Sequence, residues 1–179
     1  MRRVAAAVAA GVVVVALASG CAQQGTPTWS RPTDLATRAA AAGLHDVWGQ
    51  PLAEHIHTHV TITDGDTPVV IPADIGHSDT RRFAAELHTH DTSGIVHVES
   101  PERRDFTLGQ FFDEWDVPLS AWGVGGLHGD LTVWVDGHRY YGNPRSIVLR
   151  DLGEVDLVVT SIGEAPHRPA AFDWPPQYH

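Results

Sequence analysis

Residues 55–71, HIHTHVTITDGDTPVVI, allow few folds. Side chains of a strand alternate between its two faces, so His55, His57 and His59 project from one face and Ile56 and Thr58 from the other. The Asp-Gly pair that follows is a tight-turn signal, and the segment predicts two strands joined as a hairpin. DLTVWVDGHRYYG at 130–142 repeats the device, with a strand, a second Asp-Gly turn and a return. GIVHVES at 94–100 adds a short strand stopped by Pro101, and SIVLRDLGEVDLVVT at 146–160 supplies one or two more. FTLGQFFDEW at 106–115 breaks the pattern: Phe106, Leu108, Phe111, Phe112 and Trp115 recur at helical spacing, with Asp105 or Thr107 as cap. The order hairpin, strand, helix, strand, strand predicts a small α+β domain with a mixed or antiparallel sheet and one short helix. A β-grasp-like arrangement fits that order, and a β-sandwich is the alternative.

The N-terminus speaks to location. Arg2 and Arg3 precede a run of Ala, Val, Gly and Leu at 4–18 that is short for a membrane span and reads as a secretory signal covering residues 1–20. It ends in LASGC, where Cys21 is the only cysteine. The junction resembles a bacterial lipobox, although Leu17 stands one place earlier than usual and Ala18 takes its position. The resemblance implies lipidation of Cys21 and a protein held by that lipid at the extracytoplasmic face of the cell membrane. Ordinary cleavage leaving an unmodified cysteine is the alternative. Residues 21–44 then form a tether with a short helix at 34–43 capped by Thr33 or Asp34, residues 45–163 the globular domain, and residues 164–179 a Pro- and aromatic-rich, loosely packed tail. Loss of Arg2 and Arg3 leaves ten basic residues against 22 acidic ones, a formal charge of −12. Such a balance excludes nucleic acid as an electrostatic partner.

Histidine is the chemistry-bearing residue. A second alternating pair, His88 and His90 in LHTHD, is followed by Asp91, His97 and Glu99. Residues two apart on a strand are roughly 6–7 Å apart, so the three histidines of HIHTH do not all reach one ion. Two of His55, His57 and His59 are expected to converge with His88, His90 or His97, while Asp91 and Glu99 serve as ligands or orient an imidazole. Met1 leaves with the signal and the Cys21 thiol is lipidated, so no sulfur remains; Zn or Cu(II) fits such a set and Cu(I) does not. The bland alternative is that exposed histidines are merely polar and buried ones satisfy backbone groups. His77, His128, His138, His167 and His179 lack the pattern and read as surface or loop residues. Neither His-x-His pair has the following residues of a cupin or a metallo-β-lactamase. Ser93 lies in TSGI, a turn and not a nucleophile elbow.

LHTHDTSGIVHVESPERRDFTLGQFFDEW, with HIHTHVTITDGDTPVVIPADIG before it and VWVDGHRYYGNPRSIVLRDLGEVDLVV after it, resembles a family of uncharacterised exported bacterial and archaeal proteins. The resemblance spans His55 to Val159 and implies one exported domain to which both histidine segments belong; it implies no reaction or ligand. Three functions follow. The first is a lipid-anchored, extracytoplasmic metal-binding protein for buffering or delivery. The second is a metal-dependent hydrolase or lyase with Glu99 or Asp91 as general base. The third is an interaction module for a cell-envelope protein partner, using the tail and WGVGGL at 122–127.

Overall fold

The computed structural model describes residues 29–178. The signal segment, Cys21 and His179 lie outside the described residues. The elements run α1 (Leu35–Ala41), β1 (Glu54–Asp64), β2 (Thr67–Pro68), β3 (His77–Ser78), β4 (Phe83–Ala84), β5 (Leu87–His88), β6 (Ile95–Ser100), α2 (Leu108–Trp115), β7 (Leu119–Ser120), β8 (Gly123–Val124), β9 (Asp130–Val135), β10 (His138–Tyr140) and β11 (Gly153–Thr160). Among the described residues no helix is long and apolar enough to cross a membrane.

The protein is an α+β domain built on one open, mixed sheet of order β10-β9-β11-β1-β6-β5, with β2 added to β1. The first and last long strands, β1 and β11, lie parallel at its centre, and the other neighbours are antiparallel. With α2 packed across one face, this is the small α+β domain with a mixed sheet expected from the element order. The hairpin after β1 forms, but its second arm is only two residues long. Pro68 has no N–H to extend the ladder, and a single further bond, Val69 N–H to the Ile62 carbonyl at 2.8 Å, closes it. At the second Asp-Gly pair, Asp136 and Gly137 both take positive φ, 48° and 77°. That is the signature of a two-residue hairpin turn whose twist matches its strands.

One face of the sheet is apolar. Val60 and Ile62 of β1, Val96 and Val98 of β6, and Val155, Leu157 and Val159 of β11 are buried beneath Phe111, Phe112 and Trp115 of α2. Thr107 caps α2 by accepting from the Gln110 amide while the Gln110 side chain accepts from the Thr107 amide, and Asp116 ends the helix in the left-handed conformation. The helix α1 also belongs to this core. Leu35 and Ala39 are buried, Arg38 pairs with Asp116, and the Trp29 ring meets Trp115 edge-on at 5.6 Å. The packed unit therefore begins before His45, because the small side chains of ATRAAAAG let the helix lie close against α2.

The opposite face is polar and carries the histidines. Register places His57 beside His97 and His97 beside His88, with His55 beside Glu99 in the next row. The tail, which the sequence presents as loosely packed, runs over this face. It forms no strand, yet Phe172 stacks on His59 at 3.6 Å and 11°, and Tyr178 meets His57 edge-on at 4.6 Å. Arg168 donates to the Gly137 carbonyl at 3.0 Å and anchors its upstream end. Trp122, by contrast, is 86% exposed.

Candidate metal centre

Strand pairing sets the spacing of the site. Neighbouring strands lie about 4.8 Å apart, and imidazoles facing the same way on three of them are brought to that distance. The His57 and His97 ring centroids are 4.6 Å apart, and those of His97 and His88 are 5.3 Å apart with their planes nearly parallel, at 9°. His90 lies beyond the end of β5 and folds back, so that its ring is 4.8 Å from His88 and 4.6 Å from His97. Donor atoms of His88, His90, His97 and Glu99 all lie within 4.8 Å of one another, and those of His55, His57 and His97 do so in a second group. Groups close enough to hold a metal ion are thus present.

Hydrogen bonds orient the donors. The Ala85 carbonyl can only accept, so Nδ1 of His88 carries the proton and donates to it at 2.9 Å. That leaves the lone pair on Nε2, which faces Oε1 of Glu99 at 3.9 Å. His97 is in a different state: it is 8% exposed and its Nδ1 is buried without any hydrogen-bond partner. Such an atom costs stability unless something binds it.

Burial favours the neutral form of four imidazoles in the site, His57, His88, His90 and His97. Burial holds the pKa of His97 down at about 3, aided by His90, His57 and His55. Burial likewise pushes His88 well below the ordinary value, and it lowers His57 and His90, each assisted by the neighbouring imidazoles. A neutral ring offers a lone pair, which is the form a metal needs.

Of the expected ligands, the structure brings together His55, His57, His88, His90, His97 and Glu99. His59 stands apart: its Nε2 donates to the Ser93 carbonyl at 3.0 Å and its ring lies under Phe172. Asp91 is taken by the turn, accepting from the Ser93 amide at 2.8 Å, a bond that also lowers its pKa. Neither belongs to the two groups. His77, read from the sequence as a surface or loop residue, is instead buried, with its ring 4.5 Å from His90 and 5.5 Å from His88. Gly76 explains the placement. A Cβ there would meet the Leu87 carbonyl at 2.5 Å, so only glycine lets this backbone close on β5 and deliver the next residue to His88. His128, His138 and His167 are exposed.

No family model, curated protein or solved structure matches this chain. Its chemistry is read from the donors. Three neutral imidazoles and one carboxylate make a four-donor set suited to a divalent ion of borderline softness. A cleft of about 360 Å³, lined by Trp48, Leu52, His77, His88, His90 and Glu99, opens onto the set. A larger cavity of about 850 Å³, bounded by α1, Phe83 and Arg104, meets this cleft only at Val47 and Gln50 and touches none of the grouped histidines.

Proposed function

We propose that the protein binds Zn(II) or Cu(II) outside the membrane, held there by lipid on Cys21, and serves to buffer or deliver the ion. The observation that carries this reading is the convergence of His88, His90, His97 and Glu99 to within 4.8 Å, with the buried Nδ1 of His97 unpartnered. The absence of sulfur from the ligand set favours these ions over Cu(I). The test is metal analysis of protein purified without a histidine tag, followed by titration of the metal-free form. Binding tighter than micromolar is expected, and a His88→Ala/His90→Ala double variant is expected to lose it. Weaker binding, or binding unaltered in the variant, overturns the reading.

The cleft supports a second reading, metal-dependent hydrolysis or elimination. An ion at this site would face a space large enough for a small substrate, and a bound water could be activated there with Glu99 as base. Turnover of ester or phosphoester probes by the metal-loaded protein separates this from storage or delivery.

A further inference from the structure

The cluster contains more ligands than one ion uses. A four-coordinate ion held by His88, His90, His97 and Glu99 leaves His55 and His57 beside it, their rings 4.8 Å apart and converging on the same His97. Glu99 lies between the two groups, with Oε1 3.3 Å from Nε2 of His55 and 3.9 Å from Nε2 of His88. His97 also lies between them, more than nine-tenths buried, with Nδ1 unpartnered. Tyr178 covers the junction, 4.6 Å from the His57 ring and 6.2 Å from that of His97.

We propose that the site binds a pair of divalent ions: one on His88, His90 and His97, the second on His55 and His57, with the carboxylate of Glu99 shared between them. His97 binds the first ion through one ring nitrogen. Glu99 as a shared ligand accounts for its own position between two imidazoles of separate rows, and the second ion for the crowding of rings that make no hydrogen bonds to each other, two features that a single ion leaves unexplained. In paired sites the ions stand about 3.5–4 Å apart and act together on one bound oxygen.

This inference rests on the metal-binding reading, and stoichiometry separates the two. Metal-free full-length protein is titrated with Zn(II) by calorimetry and with Cu(II) by electron paramagnetic resonance. Two equivalents per chain are expected, and the resonance of the doubly loaded Cu(II) form should be strongly attenuated by coupling through the shared carboxylate. A His55→Ala/His57→Ala variant, altered where the side chains are partly exposed, should bind one equivalent with a full uncoupled signal. His138→Ala, altered on the exposed β10, should still bind two. Saturation of the wild type at one equivalent, or two equivalents retained in the His55→Ala/His57→Ala variant, overturns the pair and leaves single-ion binding intact. No binding at all overturns both readings.

Discussion

Replacing His97 by leucine separates a ligand from a packing residue. In the metal-free protein the Nδ1 of His97 is buried without a partner, and a polar atom left so costs about 1–3 kcal/mol. A leucine of similar volume removes that atom, while Ile95 and Val98 on the same strand stay in place. The metal-free variant should therefore gain about 1–2 kcal/mol, which for a domain of this size is a rise in Tm of about 2–8 °C. His88→Leu is the internal contrast. It deletes the bond from Nδ1 to the Ala85 carbonyl and leaves that buried acceptor unpaired, so its metal-free form should lose about 1–3 kcal/mol. Added metal reverses the ranking. An ion present at about a thousandfold excess over its Kd stabilises the wild type by about 4 kcal/mol, and both variants should lose most of that gain. The assay is thermal or urea unfolding with chelator and then with Zn(II). A metal-free His97→Leu protein less stable than the wild type, or one that keeps the full metal-dependent gain, refutes the reasoning.

Asp156 offers a pH test. Burial, helped by Glu154, raises its pKa from 3.8 to about 6. A carboxyl raised in the folded state binds its proton more tightly there than when unfolded, so stability falls as pH climbs from about 4 through about 6. The penalty reaches about 3 kcal/mol above that range and vanishes below it. Asp156→Asn, which can still accept from Thr61, should raise Tm at pH 7.5 and leave it unaltered near pH 3; equal effects at both would remove burial as the cause. The tail gives the last test. Phe172→Ala/Tyr178→Ala removes the stack on His59 and the edge contact with His57, aromatic contacts worth about 0.5–1.5 kcal/mol each beyond burial. Proteolysis within 165–178 and acylation of His57 and His59 by diethyl pyrocarbonate should both accelerate, with unchanged rates counting against a docked tail.

What could be read from the sequence was local. Alternation in HIHTHVTIT, the two Asp-Gly turns and the helical spacing of FTLGQFFDEW each depend on neighbours a few residues away, and each formed where expected. The ligand set needed more. His97 stands beside His57 and His88 only because β6 pairs with β1 and β5 in one particular register. The alternation establishes which face each histidine takes, while the register that aligns them is settled by the apolar side of the same strands. His77 carries no pattern of its own, and its approach rests on the space that Gly76 leaves against Leu87. The tail was unreadable for a similar reason: Phe172 and Tyr178 find partners more than a hundred residues earlier in the chain, on a polar face that pattern alone assigns to solvent. The core and the candidate centre are therefore the two faces of one pairing. Slipping β6 by one residue against β1 would turn Val96 and Val98 out of the core and carry His97 and Glu99 away from the other ligands. Burial of the apolar face holds the donors in place before any ion arrives, and the ligand spacing survives as long as the sheet does.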